Sequence, residues 1–279
     1  MNKLICFMLL CFCLQIITGQ ETTKIMTYNI KLDHPKAGPN SWGHRKGLIV
    51  GQINFYEPDV FGVQEALSNQ MQYLDAVLEN YNFIGVGRDD GEDEGEYSAI
   101  FYKTDMFKVV ESGTFWLSET PDKVSMGWDA VCNRICTYAL LENRKTKQRF
   151  WVFNTHFDHV GKVARMSSPK LILKKIDALN KNNLPVVLMG DFNLEPETEN
   201  LQIIKDTLFD AKDVSETRPF GPSGTYNGFH FEKPVTRRID YIFVSKQNIS
   251  IKKYGVLSDS KDCKYPSDHL PILVFIQFA

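Results

Sequence analysis

The run Val186-Val187-Leu188-Met189 passes without a break into Gly190-Asp191-Phe192-Asn193. Four consecutive apolar residues do not suit a half-solvated strand, in which apolar and polar positions alternate. They need cover on both faces. A strand covered on both faces belongs inside a layered α/β structure, under helices or a second sheet. The polar knot that ends the run then sits at the rim of the core. There its carboxylate and amide are costly unless each meets a partner or a cation. Two further knots share this character: Arg238-Ile239-Asp240-Tyr241-Ile242-Phe243 and Tyr265-Pro266-Ser267-Asp268-His269-Leu270-Pro271. Together they predict one polar site at the edge of an apolar core.

Strand signals recur at Lys24–Tyr28, Val60–Gln64, Ser98–Tyr102, Phe107–Thr114, Arg134–Leu141, Arg149–Asn154, Pro185–Met189, Ile239–Val244 and Leu270–Phe278. Between them, helical periodicity puts Ile49, Ile53 and Tyr56 on one face, as it does Met71, Leu74 and Leu78, and Ile172, Ile176 and Leu179. The halves share a plan. The first runs strand to Asn29, helix about 45–56, then a strand ending in Gly62-Val63-Gln64-Glu65. The second runs strand to His156, helix about 164–181, then a strand ending in the Asp191 knot. A repeated β-α-β order predicts two packed mixed sheets flanked by helices, a four-layer α/β sandwich whose strand edges meet in one cleft.

Met1-Asn2-Lys3, an apolar run from Leu4 to Ile17 and Thr18-Gly19 have the pattern of a leader cleaved near Gly19. The run is short for a membrane span and has no successor of its length, so export is expected rather than stable membrane insertion. A lipid-modified Cys11 or Cys13 is the alternative. Loss of residues 1–19 removes Lys3 and no acid, leaving 31 bases against 34 acids. No basic tail or stripe favours tight duplex binding. The acidic segment from Asp89 to Glu96 reads as a surface loop, and residues 20–279 as one domain, expected to be a monomer. Cys132, Cys136 and Cys263 remain; an odd count argues against a disulfide scaffold, and all three read as small buried hydrophobes.

Each polar knot has a local alternative: a turn at Gly190, a loop cap at Ser267, a surface pair of Asp240 with Arg237 or Arg238, a helix start at Glu65. In combination they are harder to dismiss. Thr27-Tyr28-Asn29-Ile30, Gly62-Val63-Gln64-Glu65, Asn154-Thr155-His156, Gly190-Asp191-Phe192-Asn193, Ile239-Asp240-Tyr241 and Ser267-Asp268-His269 run in one order from end to end of the chain. In that order they resemble the endonuclease/exonuclease/phosphatase superfamily, with the DNase I-like fold. Gly113-Thr114-Phe115-Trp116-Leu117-Ser118 and the segment from Asn154 to His159 resemble an exported bacterial branch.

The resemblance implies a divalent cation, Mg²⁺ or Mn²⁺, with Glu65 as ligand and Asn29 and Asp268 beside it or reaching through water. It implies that Asp191 orients and deprotonates the attacking water while Asn193 holds the water or a phosphate oxygen. His269, oriented by Asp240, faces the phosphate; His156 is the second imidazole, with Glu96 as its carboxylate. Arg134 is a phosphate fork and His159 a substrate contact, whereas His34, His44 and His230 read as loop or surface residues. Lys31 stands where repair-type members carry a carboxylate, which argues against a second metal ion and a repair nuclease.

An acidic loop at the cleft favours a compact substrate over a long polyanion. The expected activity is therefore hydrolysis of a small phosphorylated sugar-like or nucleotide-like metabolite. A secreted nuclease is the runner-up, and a catalytically silent binding module is the reading from another class. Sphingomyelin is disfavoured, since no hydrophobic hairpin is evident. Trp42, Trp116 and Trp128 read equally as stacking residues at the mouth or as packing residues.

Overall fold

The computed structural model describes residues 22–279; the leader expected at 1–19 lies outside them. The first half contains β1 (Thr23–Asn29), α1 (Trp42–Tyr56), β2 (Val60–Gln64), α2 (Ser68–Val77), β3 (Tyr81–Ile84), β4 (Ile100–Lys103) and β5 (Phe107–Trp116). The second contains β6 (Ile135–Asn143), β7 (Arg149–His156), α3 (Lys162–Leu179), β8 (Val186–Asp191), α4 (Glu199–Lys205) and β9 (Leu208–Asp210). Then come β10 (Asp240–Ser245), β11 (Ile249–Val256) and β12 (Ile272–Phe278). One sheet has the order β11-β12-β1-β2-β4-β3, the other β5-β6-β7-β8-β10-β9. β1 runs parallel to β2 and β7 parallel to β8, while the other pairs are antiparallel. The two β-α-β units thus occupy matching places in two mixed sheets, and the four-layer sandwich is what the sequence implied.

Side chains alternate across a strand. Ile25, Val60, Val152, Val187, Met189, Ile242 and Val274 point inward and form the core between the sheets. Their neighbours Met26, Phe61 and Val63 point outward beneath Ile49 and Ile53 of α1 and Met71 and Leu74 of α2. Phe153, Leu188 and Phe243 do the same beneath Ile172 and Ile176 of α3 and Leu201 and Ile204 of α4. Both faces being buried, the β8 run has no polar position. The parity that sends Val187 and Met189 inward also sends Asp191 inward, at the open rim.

Just below that rim the sheets are joined by polar groups. Asn154 donates to the carbonyls of Val63 (2.9 Å) and Ala99 (2.8 Å) and accepts from Gln64 Nε2 at 2.6 Å. Gly62 makes room for it: a Cβ there would lie 2.6 Å from the Asn154 side chain. Buried hydrogen bonds between the two sheets rigidify the layer on which the site rests.

The sequence reading missed β3, β9 and β11. β11 is an edge strand whose register shifts between Ile251 and Lys253, which breaks the period-two pattern. The last strand begins at Ile272 rather than Leu270, since Pro271 has no N–H to give to the ladder. Only Cys136 is buried; Cys132 is half-buried at the cleft and Cys263 exposed, and none of the three is in a disulfide. Cys263 lies in a polar turn between Asp262 and Lys264, where nothing apolar is available to cover it. Trp42 and Trp116 are buried and Trp128 packs against the α3-side core, so none of the three lines the mouth.

Candidate active site

Strand register brings the polar residues together. In the ladder of the second sheet His156 pairs with Asp191, and Asp191 pairs with Asp240 on the other side. In the first sheet Asn29 pairs with Gln64, so Glu65 stands one residue beyond the rim. The sheets meet where Asn29 Nδ2 donates to Glu65 Oε1 (3.1 Å) and Asp191 Oδ2 (2.9 Å). The loop before β12 adds Asp268 and His269. Lys31, Glu65 and Asn193 all have left-handed backbones, with φ of 59°, 63° and 50°. Such strain costs about 1 kcal/mol or more per residue and gathers at functional sites.

The resulting cleft, about 410 Å³, is lined among others by Lys31, Glu65, Arg134, His156, Asp191 and His269. Among the described residues, Glu65, Asp191 and His269 offer ligand atoms that all lie within 4.8 Å of one another. Asn29 and Asp240 stand behind them. His269 Nδ1 is 2.9 Å from Asp240 Oδ2, and its Nε2 lies 3.7 Å from Asp191 Oδ2. Burial alone would lower His269, but Asp240 and Asp191 outweigh it and push the ring up to about 10. His269 is therefore an imidazolium at neutral pH. Asp191 is pushed up to about 7 by burial and by the charge of Asp240. Burial acts on Glu65 in the same sense, yet the charges of Lys31 and His269 hold it below the usual carboxylate range.

On the other flank Asn193 Nδ2 donates to His156 Nε2 (3.1 Å) and to the Phe157 carbonyl (3.0 Å). That contact leaves the His156 proton on Nδ1, which faces Glu96 Oε2 at 3.7 Å. His156 is held well below its usual value by burial and by Arg134 and Arg88, so it is a neutral imidazole. The closer partner of Glu96 is Arg88, at 2.6 Å, a residue just before the acidic segment that carried no sequence signal. Arg134 is buried, contacts His159 Nδ1 through Nη2 at 3.1 Å, and has an Nη1 without a hydrogen-bond partner. Tyr226, edge-on to His269 at 5.1 Å, went unread in the irregular stretch before β10, and Arg237, read only as a surface partner of Asp240, lies above the Tyr226 ring.

The donor set fits a hard divalent cation, which favours carboxylate oxygens. Glu65 is where the expected ligand stands, with Asn29 and Asp268 beside it. Asn29 Nδ2 donates to Glu65 and Asp191 and its Oδ1 accepts from the Lys31 N–H, so it braces the carboxylates. Asp268 is joined to Lys31 Nζ at 3.4 Å. Glu65 and Asp191 are the carboxylates that share one space with His269.

A family model described as Endonuclease/Exonuclease/phosphatase family matches residues 26–269. A solved structure of an endonuclease/exonuclease/phosphatase family protein from Bacteroides thetaiotaomicron superposes with a TM-score of 0.89 at 38% identity, covering 93% of this chain and 99% of that one. The mannosyl-6-phosphatase of the same organism superposes with a TM-score of 0.88 at 39% identity, covering 92% of this chain and 100% of that one. The Ccr4 subunit of the CCR4-Not complex of Mycosarcoma maydis, a 3'-5'-exoribonuclease, is 22% identical over 90% of this chain and 49% of its own length. The chain spans 63%, 49% and 30% of the first three curated relatives it matches.

Proposed function

Because the chain belongs to the endonuclease/exonuclease/phosphatase family, whose members hydrolyse phosphate esters, we propose that it removes phosphate from a small phosphorylated sugar-like or nucleotide-like metabolite. In this reading the cation is Mg²⁺ or Mn²⁺, and the leader-like pattern of residues 1–19 supports an exported protein. The observation that carries the reading is the convergence of Glu65, Asp191 and His269 within 4.8 Å, beside the His269–Asp240 pair.

The protein's own groups supply most of what the reaction needs. Asp191, poised near neutrality, is ionised in a useful fraction and basic enough to take a proton from water as its oxygen attacks phosphorus. Asn29 fixes that carboxylate from one side, and the backbone N–H of Asn193 donates to its other oxygen at 2.9 Å. His269, cationic and aimed by Asp240, stabilises the negative charge that grows on the phosphoryl oxygens as the bond to the leaving oxygen breaks. Arg134, with its free Nη1, adds a guanidinium to that task. Glu65 would hold the cation, which when bound would neutralise charge on the phosphoryl and leaving oxygens.

Two features favour a small ester. At about 410 Å³ the cleft is near the lower end of the roughly 300–1,000 Å³ typical of small-molecule sites. The acidic segment reaches its edge through Glu96, with Asp90 capping the N–H groups of Glu92 and Glu94 at 2.8 and 2.9 Å. The mannosyl-6-phosphatase likeness, over nearly the whole of both chains, points to the same substrate class. Nuclease action is the second reading, favoured by the Ccr4 match over 90% of the chain.

Phosphate release from mannose 6-phosphate, other hexose phosphates, nucleotides, single-stranded RNA and DNA, and sphingomyelin, assayed side by side, separates the readings. A phosphosugar is expected to exceed every polynucleotide in kcat/KM by about a hundredfold or more. A polynucleotide in first place would replace the phosphatase with the nuclease.

A further inference from the structure

Lys31 has a backbone conformation it does not favour, held from three sides. Its N–H donates to Asn29 Oδ1 at 3.1 Å, and its carbonyl accepts from Arg45 Nη2 at 3.1 Å and Gln70 Nε2 at 3.0 Å. Arg45 and Gln70 are themselves buried. The strained turn delivers the ammonium between two buried carboxylates, 3.1 Å from Glu65 Oε2 and 3.4 Å from Asp268 Oδ2. An ordinary surface ion pair joins two mobile side chains and is worth little. Here both anions are fixed and close together, and the lysine is the cation between them. Without it, Glu65 and Asp268 would face each other across the cleft beside Asp191, an arrangement that like-charge repulsion opposes.

Glu65 has two claims on it. Its Oε2 meets Lys31 Nζ and the Leu32 N–H (3.3 Å), while the residue also belongs to the group with Asp191 and His269. We propose that Lys31 is a built-in stand-in for the divalent cation: its ammonium neutralises Glu65 and Asp268 until the ion displaces it, so Lys31 sets how tightly the site takes metal. This rests on the phosphohydrolase reading of the same cleft. Displacement follows from distance and charge. A small divalent ion sits about 2.1 Å from its oxygen ligands, so an ammonium on the same carboxylate oxygen would be held against it. The lysine side chain is 34% exposed, and its flexible stem has room to swing into the cleft. The exchange keeps Glu65 neutralised before and after metal arrives.

Calorimetric titration of MnCl₂ and MgCl₂ into wild type, Lys31→Met and Arg237→Met tests this, with thermal melts of each protein with and without metal. Lys31→Met is expected to bind Mn²⁺ about tenfold or more tightly than wild type, to melt lower without metal, and to gain more in Tm when metal is added. Arg237→Met removes a cleft cation that touches neither carboxylate, and its affinity should stay within about threefold of wild type. If Lys31→Met does not fold, Lys31→Gln takes its place with the same expectation. Equal or weaker binding by the Lys31 variant, or an equal gain in Arg237→Met, overturns the stand-in role and leaves the hydrolase reading in place. No divalent binding by wild type or variant overturns both.

Discussion

Asp191→Asn will lower phosphate release from p-nitrophenyl phosphate by about 10³-fold or more, the scale of losing both an acid–base group and a placed charge. The substitution keeps the shape of a residue that pairs in the ladder with both His156 and Asp240. What it removes is the proton acceptor and one of the two carboxylates in the group with His269. Thermal stability at neutral pH should change little. A carboxylate that burial and Asp240 push up to about 7 is under strain when ionised, so neutralising it relieves a cost while some hydrogen bonds are lost. Kinetics and a melt on the same sample check both parts. A loss below tenfold, with the fold intact, would take Asp191 out of the role of base.

His269→Gln will also lower turnover by about 10³-fold or more, because an uncharged amide cannot replace an imidazolium facing the phosphoryl group. It carries a second expectation that does not depend on activity. In the folded protein the ring is raised from 6.5 to about 10 by Asp240 and Asp191, against the opposing effect of burial. A raised value means that the fold binds the proton more tightly than the unfolded chain does. The stabilisation is therefore complete below about pH 6.5 and is lost as pH rises through about 10. In melts of metal-free protein, the Tm advantage of wild type over His269→Gln should be largest near pH 6 and shrink toward pH 10. An advantage that is constant, or that grows with pH, contradicts an imidazolium at this position.

The sequence made the core strands legible because burial on both faces leaves a plain mark. Val186-Val187-Leu188-Met189 admits few other readings, and the polar residues after it could be placed by parity alone. Edge elements carry no such mark: β11 interrupts its own alternation at a bulge, and β3 is too exposed to show an apolar face. Within the site, residues at strand ends were readable as chemistry out of place. Arg88 stands at the head of an acidic run that drew the reading to itself, and Tyr226 and Arg237 lie in an irregular segment with no period to betray them. Lys31 was visible as a departure from the family pattern. Its bridging position was not, since that depends on a left-handed backbone that lysine composition does not announce.

The central claim is that the Glu65, Asp191 and His269 group hydrolyses a phosphate ester with the help of a divalent cation. The most direct test measures phosphate released from mannose 6-phosphate and p-nitrophenyl phosphate by EDTA-treated protein before and after Mg²⁺ or Mn²⁺ is restored. The account predicts near-background release without metal, recovery when either ion is added, and no recovery in Asp191→Asn. Failure of the wild-type protein to release phosphate from either ester at any metal concentration, or equal release with and without metal, would contradict it.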